Sequence, residues 1–259
     1  MMKLLAIELR KLLPYKAFKL ILLVIVISLA ATILVGKQVN RVNIINPEMN
    51  VLSFPNVWNY YLYTAFIVNL LLAMLVIFVV CNEYTYRTLR QNIIDGMTRN
   101  ETVTGKIILI IMLSIVSTIT VYITGIIAGM MYSTTWTLED VFERNELLLG
   151  YELMVLCLLS LAYLFATIFK RSGIATIAFL LFLFPIDLII NSAIFKGKIV
   201  EYMPVSNMFK EVIRFPYTDL FQSDPIAQEH LKVLPLLISV AYIVLFFTVG
   251  WFITKRRDL

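Results

Sequence analysis

Charged residues, histidine and cysteine are all scarce in this sequence. Of its 259 residues, 15% are charged, one is histidine and two are cysteine. Soluble globular domains have about 25% charged residues, so the composition argues against that class. Two cysteines exclude a disulfide-dense scaffold. One histidine with two cysteines argues against a metal site built from these ligands.

The sequence motifs of nucleotide hydrolysis and of two common hydrolase chemistries are also missing. Gly105-Lys106 is followed by Ile107 rather than Ser or Thr, and Asn100 stands where a Walker A motif has its first glycine. Neither an HExxH nor a GxSxG pattern occurs in the chain. We therefore predict that the chain is not an enzyme and has no cofactor of its own.

Apolar residues dominate the composition. They make up 60% of the chain, 13% of the residues are aromatic, and the mean hydropathy is +0.87. Intrinsic disorder is excluded, because disordered chains have few aromatic residues and a high charge. This composition is typical of an integral membrane protein.

Six stretches are long and apolar enough to cross a ~30 Å hydrocarbon core as α-helices. They comprise residues 17–35, 60–81, 107–131, 147–169, 174–194 and 233–253. The apolar runs are continuous, as in membrane helices. The sequence therefore predicts an all-α integral membrane protein, with a single transmembrane domain over residues 1–259.

The distribution of basic residues predicts the orientation of these spans. If the N-terminus is cytoplasmic, the inner segments hold 14 of the 22 lysines and arginines, and the longer outer segments hold eight. Acidic residues are distributed the other way, with five inside and ten outside. The positive-inside rule then places both termini in the cytoplasm. It also accounts for the net charge of +5 without a nucleic-acid partner.

The N-terminal segment, residues 1–13, has the pattern of a basic amphipathic helix that Pro14 would end. Its apolar residues at helical spacing are Met2, Leu5, Leu9, Leu12 and Leu13. Lys3, Arg10 and Lys11 lie elsewhere around the helix, which favours an interfacial helix in contact with membrane lipids. The alternative is a basic flank that only sets the topology.

The most informative segment, residues 82–101, lies between spans two and three, and we call it the elbow. Tyr86, Leu89 and Ile93 share one helical face, and Arg87 and Arg90 lie largely off that face. This pattern predicts a short amphipathic helix.

Local signals also predict how the elbow ends. Asp95-Gly96 is typical of a helix stop, because glycine adopts left-handed conformations readily. Thr98-Arg99-Asn100-Glu101 fits a capping box that begins the next helix. The elbow should therefore be a helix, a tight turn and a second helix. A passive connector and a docking site are both compatible with this prediction.

The order of a basic N-terminal helix, six spans and a short inner helix between spans two and three resembles the permease subunit of bacterial type-2 ABC exporters. In that family the inner loop often has an acidic residue, a basic or Gly residue before Thr-Leu, a small-residue turn and Gly-Lys opening span three. The matching residues here are Glu83, Arg87-Thr88-Leu89, Gly96 and Gly105-Lys106. Arg87 departs from the frequent Gly of the family, and Gly96 stands where a turn proline is common.

The resemblance implies that the elbow helix is a coupling helix, which fits a groove on a separate ATPase subunit. The residues assigned to this interface are Glu83, Tyr86, Arg87, Thr88, Leu89, Arg90, Ile93, Asp95 and Gly96. Two permeases, identical or related, would assemble with two ATPases, which would bind ATP and Mg. The resemblance also implies a location in the bacterial inner membrane.

Three polar residues inside the spans are further candidates for function. Asn69, Glu152 and Asp187 could line the pathway or form a polar patch near its outer mouth. Alternatively, they could simply be hydrogen-bonded to neighbouring helices. Two other functions stay open at this point: an ion-coupled secondary transporter that uses Glu152 and Asp187, and a membrane scaffold or intramembrane enzyme.

Overall fold

The computed structural model describes residues 2–42, 50–186, 189–190, 202–213, 228 and 230–256, and this part of the chain has helices and turns without a strand. The α-helices are α1 (Met2–Leu12), α2 (Lys16–Val42), α3 (Val57–Thr85), α4 (Thr88–Ile94), α5 (Arg99–Tyr132), α6 (Leu138–Phe142), α7 (Leu147–Phe169), α8 (Ser172–Leu181), α9 (Pro204–Asn207) and α10 (Val233–Arg256). Two π-helical turns, Phe182–Ile186 and Met208–Val212, continue α8 and α9. The all-helical prediction is confirmed for these residues.

Five of the helices are long and apolar enough to cross a membrane: α2, α3, α5, α7 and α10. The fifth predicted span in chain order, residues 174–194, is described only in part, as the shorter apolar helix Ser172–Phe184. It leads into a π-helical turn that contains Pro185, a residue that cannot donate a backbone hydrogen bond. Most of residues 187–194 lie outside the described residues, so the full length of this span stays a prediction.

The centre of the bundle is formed by α3 and α7, which pack against each other along much of their length. Apolar residues occur on all sides of α3, as expected for a helix surrounded by protein. In contrast, α2 and α5 leave rows of large apolar side chains exposed. Such outward faces suit a surrounding of lipid tails.

One end of the bundle carries the N-terminal helix, the elbow and the last turn of α10. Helix α1 packs along α5. The Arg99 guanidinium donates a 2.6 Å hydrogen bond to the Lys255 carbonyl, and the Trp251 indole donates one of 3.2 Å to Asn100 Oδ1. We call this the elbow end, and α6 lies at the opposite end. The elbow end is the one that the sequence predicts to be cytoplasmic.

Candidate functional site: the elbow and a buried charge cluster

The elbow begins with a sharp change in backbone direction. Helix α3 ends at Thr85, Tyr86 caps it, and Arg87 adopts a left-handed conformation with a φ of 56° before α4 starts at Thr88. Tyr86 therefore lies outside α4. The prediction that it shares a helical face with Leu89 and Ile93 is wrong, because Arg87 breaks the helical register between them.

The second half of the elbow follows the sequence prediction. Gly96 has a φ of 99°, and its amide donates a 3.1 Å hydrogen bond to the Ile93 carbonyl. The capping box is formed: the Thr98 hydroxyl accepts a hydrogen bond from the Glu101 amide at 3.2 Å, and the Glu101 carboxylate accepts one from the Thr98 amide at 2.8 Å. Hydrogen bonds from the Thr98 backbone and hydroxyl lower the pKa of Glu101.

The elbow has an anchored side and an exposed side. Leu89 is buried where α4 packs against α3 and α5, and Ile93 is half-buried. Tyr86 and Ile94 are 68% and 69% exposed. The polar residues on the exposed side are Arg87, Thr88, Arg90, Gln91 and Asp95. Large apolar and arginine side chains together are characteristic of protein interfaces.

Four charged side chains meet directly beside the elbow. Lys106 of α5 forms ion pairs with Glu8 of α1 and, at 2.6 Å, with Glu83 of α3. Lys11 binds the same two carboxylates, at 3.2 Å from Glu8 and 3.0 Å from Glu83. Glu8, Glu83 and Lys106 are buried, and Lys11 is half-buried. We call these four residues the charge cluster.

The charge cluster is electrically balanced and joins three helices. Two carboxylates face two ammonium groups, which is the condition under which buried charges are tolerated. Burial lowers the pKa of Lys11, but the charges of Glu83 and Glu8 outweigh this effect, and the net result is a raised pKa. The cluster therefore fixes α1, the end of α3 and the start of α5 to one another.

Sequence reasoning found only part of this cluster. Glu83 and Lys106 are positions of the inner-loop motif, but the motif predicts no contact between them and does not include Glu8. A signal for Glu8 was present, because it lies three residues after Leu5 and four before Leu12, on the apolar face of α1. A carboxylate on the buried face of a helix requires a cationic partner.

A cavity of about 550 Å³ opens between the elbow and the connection from α7 to α8. All but one of its lining side chains are charged or polar, and the exception is Leu89. The complete lining is Glu83, Tyr84, Thr85, Arg87, Leu89, Arg90, Lys170 and Arg171. Oε2 of Glu83 is buried and has no hydrogen-bond partner among the described residues. The cavity therefore has a surplus of positive charge.

Glu152 lies in a polar seam between α5 and α7. Its carboxylate accepts hydrogen bonds of 2.6 Å from both the Ser114 and the Thr118 hydroxyl. Its side chain is partly exposed. These are the hydrogen bonds to a neighbouring helix that the second alternative predicts for Glu152.

Asn69 of α3 extends the same seam. Its amide donates to the Tyr151 hydroxyl, and its carbonyl oxygen accepts a 2.8 Å hydrogen bond from Ser117. Asn69 and Ser117 also line a narrow groove of about 170 Å³ between α2, α3 and α5, whose other walls are almost all apolar. Asp187, the third predicted polar residue, lies outside the described residues.

Residues that could hold a metal ion do not cluster in the part of the chain that the structure describes: no group of three or more His, Cys, Asp or Glu side chains is found there. Cys81 and Cys157 are buried free thiols. No protein-family model matches this chain, and the search of curated proteins finds no significant match.

Proposed function

We propose that this chain is the membrane-spanning subunit of an ATP-driven exporter, and that its elbow docks on a separate ATPase subunit. The observation that carries the proposal is the construction of the elbow. It is a folded bracket with exposed Tyr86 and Ile94 side chains, and it is joined to three helices by the charge cluster.

Force applied to the elbow would reach the membrane helices through two contacts. The buried Leu89 side chain holds α4 on the bundle, and Glu83 connects the end of α3 with Lys106 at the start of α5. A partner that pushes on the elbow would therefore displace α3 and α5 together with α1. A flexible loop could not transmit such a displacement.

The exposed side of the elbow is suited to a protein partner. An aromatic and an aliphatic side chain stand beside Arg87 and Arg90, and Tyr and Arg are enriched among residues that dominate binding energy. The partner would bind ATP and Mg, and two permease copies, identical or related, would enclose the pathway. The proposed location is the bacterial inner membrane, with the elbow end in the cytoplasm.

Affinity purification in mild detergent tests this proposal. The tagged wild-type chain, expressed in its own host, should recover a polypeptide with a Walker A motif and ATP-hydrolysing activity. Ile94→Asp should reduce this recovery at least tenfold, because it replaces an exposed apolar side chain of the proposed docking surface with a carboxylate. Leu138→Asp is the matched control, since Leu138 is also 69% exposed but lies in α6 at the opposite end.

Two outcomes would contradict the proposal. One is the absence of any ATP-hydrolysing partner in the wild-type preparation. The other is equal recovery of the partner with Ile94→Asp and with Leu138→Asp, which would remove the elbow from the interface.

A further inference from the structure

The cavity between the elbow and the α7–α8 connection holds four cationic side chains that lack acidic partners. Arg87, Arg90, Lys170 and Arg171 line it, and none of them forms an ion pair within the described part of the chain. The carboxylate of the lining, Glu83, is already bound to Lys11 and Lys106. The cavity thus offers an uncompensated positive charge to an anion.

The cavity also borders the apolar surface of the bundle. Lys170 and Arg171 form the short connection between two apolar helices, α7 and α8. The flanking side chains of Phe169 and Ile174 are 38% and 50% exposed, and Ile177, one turn further along α8, is exposed too. Cationic groups at the end of such an apolar surface lie at the level where lipid phosphates meet the hydrocarbon.

We propose that this cavity binds the phosphodiester headgroup of an anionic phospholipid, whose acyl chains lie along the exposed face of α8. Basic pockets between membrane helices bind anionic headgroups, and the volume of about 550 Å³ is within the range of small-molecule sites.

The apolar neighbourhood favours a lipid over the other anions that the cavity could attract. Inorganic phosphate would use the cationic groups but not the exposed α8 face. An acidic protein segment could bind Arg87 and Arg90, which belong to the exposed side of the elbow as well as to the cavity, but it would not cover the exposed α8 face. The inference goes beyond the proposed function, and its test requires no ATPase partner.

The test uses the purified full-length chain in neutral detergent. Short-chain phosphatidylglycerol, short-chain phosphatidylcholine and inorganic phosphate are titrated separately, and the apparent Kd is taken from the shift in unfolding temperature. Phosphatidylglycerol should bind at least tenfold more tightly than the other two probes. The double variant Lys170→Gln/Arg171→Gln should weaken phosphatidylglycerol binding about tenfold or more.

A matched control is available at the same end of the bundle. Lys255→Gln/Arg256→Gln removes an equal charge from α10, where these side chains lie over the rings of Trp251 and Phe252, outside the cavity. It should leave phosphatidylglycerol binding unchanged. Arg171→Gln alone, at an exposed position, should show a smaller loss in the same direction as the cavity double variant, and it serves if that double variant does not fold.

Each contrary result overturns the inference in a distinct way. Equal binding of phosphatidylglycerol and phosphatidylcholine, or equal losses in the cavity and control variants, would mean that no headgroup site exists. Inorganic phosphate that binds as tightly as phosphatidylglycerol would identify a soluble anion as the ligand. Phosphatidylglycerol binding that is unchanged in the cavity double variant would remove Lys170 and Arg171 from the binding site.

Discussion

At the scale of single residues, Lys106 connects the two carboxylates of the charge cluster at the elbow end. It lies buried between Glu8 and Glu83, and Lys11 supplies the second positive charge that balances the pair of carboxylates. A buried charge that loses its partner is strongly destabilising, whereas a balanced set is tolerated. The four residues should therefore behave as one coupled unit.

A double-mutant cycle tests this coupling. Lys106→Met should cost about 3–5 kcal/mol, because it leaves two carboxylates with one ammonium group. The double variant Glu8→Gln/Lys106→Met again has one carboxylate for one ammonium group. Its loss of unfolding free energy should therefore be smaller than the sum of the losses of the two single variants. Unfolding of the purified chain in mixed micelles measures these differences.

Lys255→Met is the control for the cycle, because the Lys255 side chain is exposed. It should change the free energy of unfolding by less than about 0.5 kcal/mol. Strict additivity of Glu8→Gln and Lys106→Met, or a Lys106→Met chain as stable as the control, would show that the cluster is not a coupled unit.

The raised pKa of Lys11 predicts a loss of stability at alkaline pH. Because the folded-state pKa lies above the unfolded value of 10.5, the stabilisation is complete below pH 10.5 and is lost as the pH rises through the folded-state pKa. Lys11→Gln should therefore reduce the fall in unfolding temperature between pH 9.5 and higher pH. A fall of the same size in Lys11→Gln and wild type would contradict the assignment.

Glu8 shows why sequence reasoning stopped short at this scale. The apolar face of α1 was predictable from its spacing, but the buried partner of Glu8, Lys106, comes from α5, far along the chain. The spacing of residues predicts which of them share a helix face, but it does not predict which helices pack against each other. The same limit applies to the polar seam, where the serines and threonines of α5 bind Glu152 and Asn69.

At the scale of elements, the elbow depends on local backbone chemistry. Gly96 and the Thr98–Glu101 capping box were predictable because each acts within a few residues. The left-handed Arg87 was not, because no glycine or asparagine marks the position. The start of α5 at Arg99, eight residues before the predicted span, follows from the capping box, which begins the helix ahead of the apolar stretch.

Replacement of Gly96 tests the strength of this turn. An alanine at a φ of 99° is strained, and we expect Gly96→Ala to destabilise the elbow by about 1–2 kcal/mol. Amide hydrogen exchange over residues 89–101 should accelerate about fivefold or more as a result. Exchange in the middle of α3 should stay unchanged.

Gly173→Ala provides a control that separates strain from crowding. An added Cβ meets no neighbouring atom within 4 Å at either glycine, but only Gly96 has a positive φ. In Gly173→Ala, amide hydrogen exchange around residue 173 should be unchanged or slightly slower, since alanine favours helices. Equal acceleration of amide exchange around the substituted residue in both variants would show that the conformation of Gly96 does not determine the turn.

At the scale of the whole molecule, apolar length predicted the membrane-length helices well, and the orientation that the charge asymmetry predicts stays a prediction. Five predicted spans correspond to membrane-length helices, because crossing a bilayer constrains length and composition directly. The span predicted over residues 174–194 is described only as far as residue 186 and at residues 189–190, and Asp187 lies outside the described residues. The docking role of the elbow stays a proposal, because the fold of the elbow alone does not identify its binding partner.

Site-specific photo-crosslinking in native membranes tests the central claim most directly. A photoreactive amino acid replaces Ile94 on the elbow in one variant and Leu138 in the other, two positions of equal exposure at opposite ends of the bundle. The account predicts a cross-link from position 94, and none from position 138, to a polypeptide that carries a Walker A motif. A cross-link pattern at position 94 that contains no such polypeptide would contradict it.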